Sequence, residues 1–146
     1  MVANDGGWTR QRPALWEVEL YKRADGSQPA EQFFEAVGDE VAQRLIGYVD
    51  RIAEGPIGYP AGPEWQAMHG PALGCHEVRV RFGRTLYRLF VRLDAGPFAE
   101  SPGIGRLVLL GGESKPAGTA LPPAVYRAVG AMAADYRRHR RVSPPT

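Results

Sequence analysis

Cysteine is almost absent: Cys75 stands alone among 146 residues, which excludes an intramolecular disulfide framework and any zinc site built from several thiolates. Long apolar runs are missing too. The first thirteen residues include Asn4, Asp5, Gly6, Gly7, Arg10 and Arg12 and lack the stretch that a signal peptide or membrane span needs, so a cytoplasmic protein with no membrane partner is expected. A strong charge of either sign is lacking as well, since the net charge of +2 rules out a uniformly basic nucleic-acid coat. One local absence is more telling. Between Arg79 and Arg92 there is no acidic residue, while Arg79, Arg81, Arg84, Arg88 and Arg92 fall within that stretch.

What is present is apolar residues at 44% of the chain, enough for one core and too little length for two comfortable ones. A single domain over 15–141 is expected, flanked by flexible tails at 1–14 and 142–146. Trp16, Val18 and Leu20 alternate with Glu17, Glu19 and Tyr21, the period of a half-buried strand. Pro29 suits a first helical turn, and Phe33, Phe34 and Val37 follow at helical spacing. After Gly38, residues Val41, Leu45, Val49 and Ile52 define a second amphipathic helix ending near Gly55-Pro56. The two helices should pack as a hairpin. Glycine and proline are dense from Gly55 to Pro71, where Glu64–Met68 reads as a turn of helix or an edge segment.

Period two then returns over Cys75–Phe82 and Thr85–Leu93, joined by Gly83-Arg84, which predicts a hairpin. Arg106–Leu110 is a short apolar strand, with Gly111-Gly112 read as a turn. From Pro122-Pro123 a last helix places Val125, Val129, Met132 and Tyr136 on one side and runs into Arg137–Arg141, a cluster suited either to the helix dipole or to RNA. The fold class is α+β, a small, mainly antiparallel sheet in the order β-α-α-β-β-β-α.

Side-chain parity puts Glu77, Arg79 and Arg81 on one hairpin face beside Arg88 and Arg92. Arginine forks donate two hydrogen bonds to phosphate oxygens, so this face could grip RNA; a merely solvated sheet face is the competing explanation. His76 shares parity with the core residues and reads as a structural histidine. His69 sits in a loop, and His139 in the basic terminus. Cys75 reads as a small buried thiol. Neither Gly103-Ile104-Gly105 nor Gly111-Gly112 has the spacing of a nucleotide-binding loop.

The stretch Gly74-Cys75-His76-Glu77-Val78-Arg79, then Tyr87-Arg88-Leu89-Phe90 and Leu107–Leu110, resembles the phage-derived, HigB-like branch of the RelE/ParE toxin superfamily. Trp16-Glu17-Val18, Pro29–Phe34 and Asp135-Tyr136 follow the same order. The resemblance implies a RelE-like ribonuclease toxin fold that enters the ribosome and cuts mRNA without a metal or cofactor. It further implies silencing by a helix-turn-helix antitoxin, with operator DNA contacted only through that antitoxin. Cleavage through the RNA's own 2′-hydroxyl needs a proton acceptor, cations for the phosphorane and a donor for the leaving 5′-oxygen. By resemblance Arg88 is the phosphate clamp, Arg79 a second stabiliser, Lys115 a further cation or donor, and Glu77 either the base or a positioner of arginines. Arg81, Arg84 and Arg92 would bind RNA.

The segment Gly111-Gly112-Glu113-Ser114-Lys115-Pro116 departs from the branch's His-Gly-Phe element and lysine-rich loop. A catalytically degenerate module that binds the antitoxin or RNA is therefore the alternative.

Overall fold

The computed structural model describes residues 2–3, 9–10, 16–55, 63–94 and 105–145. In chain order the strands and helices are β1 (Val2–Ala3), β2 (Thr9–Arg10), β3 (Glu17–Tyr21), α1 (Pro29–Val37), α2 (Asp39–Ala53), β4 (Trp65–Ala67), β5 (Cys75–Phe82), β6 (Thr85–Asp94), β7 (Arg106–Pro116), α3 (Pro123–His139) and β8 (Val142–Ser143), with a 3-10 turn at Gly70–Ala72. The α+β class holds, with three helices and a mostly antiparallel six-stranded sheet, but the element order differs from the expected β-α-α-β-β-β-α. The short strands β1, β2, β4 and β8 are additions to it. Of the tail at 1–14, only β1 and β2 are described, paired antiparallel with each other.

Six strands form one sheet in the order β4-β5-β6-β7-β3-β8. All neighbours run antiparallel except β3 and β7, which are parallel. At the β5–β6 turn Gly83 has φ +58°, the conformation a two-residue hairpin loop asks of its first residue. Gly38 at φ +89° likewise separates α1 from α2, where a β-branched or bulky residue would be strained.

Helices cover both faces. Against one face α1 and α2 bury Phe33, Val41, Leu45 and Val49 on Val18, Leu20, Val78, Val80, Leu89, Leu107 and Leu109. Against the other, α3 and the 3-10 turn bury Val129, Ala133, Tyr136 and Ala72 on Tyr21, Cys75, Phe90, Val108 and Leu110. Each fully buried Leu or Val stabilises the fold by about 1.5–3 kcal/mol, so these two clusters hold the layers together. The second cluster overturns part of the sequence reading: β3 is covered on both sides at its end, because Tyr21 is a core residue.

Two further expectations are corrected. Strand β7 does not stop at Leu110 but continues through Gly111-Gly112 to Pro116, with a register shift opposite Phe90/Val91. The glycines are packing residues rather than a turn: a Cβ on Gly112 would collide with the Phe33 ring, so the missing side chain lets α1 lie close on the sheet. Nor is the stretch from 142 a plain tail. Arg140 adopts φ +51°, turning the chain back after α3, and Val142 and Ser143 then pair with Tyr21 and Leu20 of β3.

Candidate functional site

The three central strands lay the expected site out as a grid. Opposed residues on antiparallel strands share a face, and the register gives three rows: Arg81, Leu86 and Lys115; Arg79, Arg88 and Glu113; Glu77, Phe90 and Gly111. Glu77, Arg79, Arg81, Arg88 and Lys115 therefore do converge on one face. It is the face that α3 covers, because Cys75 and Phe90 on it belong to that core.

Convergence did not bring exposure. Glu77 is only 4% exposed and Arg88 5%, which corrects the solvent-facing patch expected from parity. Alternation cannot distinguish a wet sheet face from one roofed by a distant helix, and α3 lies far along the chain. The Glu77 carboxylate is moreover engaged. It accepts a short hydrogen bond from Nε of Arg79 and lies 3.5 Å from Nε of Arg88. One carboxylate thus serves two guanidinium groups. Arg79 is partly solvated, with about a third of its side chain exposed. Arg88 is not, and among the described residues its Nε and Nη1 make no hydrogen bond.

The remaining candidates divide by position. Arg81 and Arg84 are exposed at the hairpin end, Arg81 donating from Nε to the Gly83 carbonyl at 3.0 Å. Lys115 is half-buried on β7, not on a loop as expected, which fixes it two strands from Arg81. Arg92 lies away from this end, opposite Cys75 and against Gly74, where its guanidinium fills the space a Cβ would need. It is a packing residue there, and the RNA-binding role expected for it has no geometric support.

Cys75 is buried, and burial pushes its thiol above the usual range despite a hydrogen bond from Arg92. His76 stacks on Trp65 with ring centroids 4.6 Å apart, and burial holds its pKa below the ordinary histidine value, a structural arrangement. His69 and His139 are exposed. Among the described residues no group of three or more His, Cys, Asp or Glu is placed to hold a metal ion, and no helix is long and apolar enough to cross a membrane.

Two residues of the basic terminus, Arg140 and Arg141, are held in ion pairs. Arg140 Nη1 donates to Asp94 Oδ2 at 2.8 Å, alongside the Tyr136 hydroxyl at 2.5 Å. Arg141 Nη2 donates to Asp135 Oδ2 at 2.7 Å, alongside the Tyr21 hydroxyl at 2.5 Å. Burial and the Asp135 partner push the Tyr21 phenol up to about 12.

A groove of about 380 Å³ opens beside the hairpin, lined by Arg44, Tyr48, Pro63, Glu64, Arg79, Val80, Arg81 and Leu86. Sequence reasoning missed the wall contributed by α2. Arg44 and Tyr48 stand one helical turn apart on its polar side, a spacing visible in the sequence, but nothing local tells which strand that side meets. Glu113, opposite Arg88, was missed because β7 was ended too early. The chain matches no known family, no curated protein and no solved structure, so fold and geometry define its class: an α+β domain with a cationic groove at one end of its sheet.

Proposed function

We propose that this chain is a RelE-like toxin-fold protein that binds single-stranded RNA at the turn end of its β5–β6 hairpin and acts as a binding module, without cleaving. The motif order supports the toxin-like fold. The binding role rests on one observation: Arg79, Arg81 and Arg84 reach solvent at that end, while the carboxylate needed as a base is buried and already shared by Arg79 and Arg88. Accessible arginines bind phosphates; a base locked between two cations is poorly placed to take a proton from a 2′-hydroxyl. In this reading the partners are messenger RNA, at the ribosome, and a helix-turn-helix antitoxin.

A second reading, cleavage, is favoured by the unsatisfied guanidinium of Arg88, because buried donors without acceptors are rare and often mark a ligand's place. In that case the 2′-oxygen bonds to phosphorus, its proton passes to Glu77, and the P–O5′ bond breaks as the 5′-oxygen takes a proton from Lys115. The products are a 2′,3′-cyclic phosphate and a 5′-hydroxyl. Glu77 would first have to release Arg79.

Anisotropy of a fluorescent RNA octamer, combined with primer extension on messages from cells making the protein, separates the two. Binding that weakens with salt at a log-log slope of about 0.7 per neutralised phosphate, with no new 5′ ends inside translated codons, supports the module. New ends that disappear in Glu77→Gln overturn it in favour of the nuclease. No RNA binding at low salt removes both.

A further inference from the structure

We infer that the groove between α2 and the hairpin is a nucleotide subsite, with Tyr48 as the stacking surface for one base and Arg44, Arg79 and Arg81 as donors to the flanking phosphates. Its existence stands on the cavity; the choice of an RNA unit as occupant rests on the function proposed above. The volume of about 380 Å³ lies within the range of small-ligand clefts, about 300–1,000 Å³. Among the described residues its lining carries three cations, Arg44, Arg79 and Arg81, against the single carboxylate of Glu64, a balance that selects anions.

The donors come from two rigid elements. Arg79 is anchored through its backbone N–H on the Glu64 carbonyl at 2.8 Å and through Nε on Glu77, which holds its guanidinium at the groove. Arg44 lies over the Phe82 ring, 4.8 Å from its centroid, so its stem is fixed while the residue stays exposed. Rigid donors lose little freedom on binding, and this favours recognition over loose surface attraction.

Tyr48 supplies the apolar part. It is half-buried, and Arg51 lies over its ring at 4.3 Å from the centroid. A base stacked on a tyrosine already backed by a cation would extend an existing stack. Aromatic platforms of this kind accept any base, so the subsite should tolerate sequence while requiring a single strand. Duplex RNA, with its bases paired and stacked inside, offers no free ring.

The test is anisotropy titration of fluorescent RNA octamers, single-stranded and duplex, against the full chain and the variants Tyr48→Ala, Tyr48→Phe and Arg44→Gln, with circular dichroism confirming folding. Tyr48→Ala should weaken single-strand binding by about fivefold to a hundredfold, the range of one lost base stack, and Tyr48→Phe should restore it. Arg44→Gln should lower the salt slope by about 0.7, one phosphate's worth. Wild-type affinity in both Tyr48→Ala and Arg44→Gln overturns the subsite while leaving the RNA function intact. Tighter binding of duplex than of single strand overturns it as well. Failure of the unaltered protein to bind any octamer removes the RNA function itself, and the subsite's occupant with it.

Discussion

Two groups of charged side chains lie close to the same helix, and they are built differently. At the end of α3, Asp94 meets Tyr136 and Arg140, while Asp135 meets Tyr21 and Arg141. Each carboxylate there has one phenol and one guanidinium, and the charges balance. In the sheet, Glu77 is shared by Arg79 and Arg88, Glu113 stands opposite Arg88 on the next strand, and among the described residues two nitrogens of Arg88 have no acceptor. The first pattern ties the chain end to β3 and β6, which is where a structural role places it. The second leaves a buried guanidinium only partly satisfied, next to a groove that holds three arginines. A fold has no stability reason to bury an unsatisfied guanidinium, so the sheet cluster is the better candidate for function.

The sharpest way to break that contrast is to remove the shared carboxylate. Glu77→Gln takes away the carboxylate paired with the buried Arg88, and stranding a buried ion usually costs about 3–5 kcal/mol. Urea unfolding of the variant should show a loss of that size. A loss below about 1 kcal/mol would mean that water already reaches Arg88 and that the cluster is more open than its burial indicates.

A smaller effect is expected at the balanced end. Tyr21→Phe removes one hydrogen bond to Asp135 and should cost on the order of 1 kcal/mol at neutral pH. Its pH dependence is the more diagnostic readout. The phenol of Tyr21 is pushed up to about 12 in the folded chain, against an ordinary value near 10. Above pH 10 the unfolded chain gives up this proton while the folded chain keeps it, so the stabilisation is complete below that pH and declines as pH rises towards 12. The Tyr136 phenol shifts upward too, chiefly through burial, and adds to the same decline. Unfolding free energy measured from pH 9 to 12 should therefore fall less steeply in Tyr21→Phe than in the unaltered chain. Equal slopes would show that the Tyr21–Asp135 contact does not hold the proton.

Much of this was legible in the sequence because the signals were local. Alternation located β3, β5 and β6, and the apolar stripe of Val41, Leu45, Val49 and Ile52 located α2, since each pattern is set by one element's own period. Parity also assigned Glu77, Arg79, Arg81 and Arg88 to one face, and that face is real. Their burial was not legible: it depends on a helix about forty residues further along folding over the strands. The continuation of β7 through Gly111-Gly112 was hidden for a related reason. Glycine pairs usually mark turns, and only the Phe33 ring of α1, pressed against Gly112, shows why this pair sits in a strand. Arg44 and Tyr48 went unnoticed because a groove needs two walls, and the sequence describes each wall separately.

The smallest expected change in stability discriminates best between the two readings of the sheet cluster. Arg88→Met keeps an unbranched side chain of similar length and removes a buried charge whose Nε and Nη1 have no hydrogen-bond partner among the described residues. Glu77 keeps Arg79, so no ion is stranded, and replacing a buried, poorly satisfied charge by an apolar side chain is often neutral or stabilising. The urea midpoint should stay put or rise slightly, in opposition to the large loss in Glu77→Gln. RNA binding should also persist, because the groove is lined by Arg44, Arg79 and Arg81 and not by Arg88. A folded, stable Arg88→Met that no longer binds RNA would show that the phosphate lies deeper, on Arg88 itself, and would move the weight of argument from the groove to the buried cluster and from binding towards cleavage.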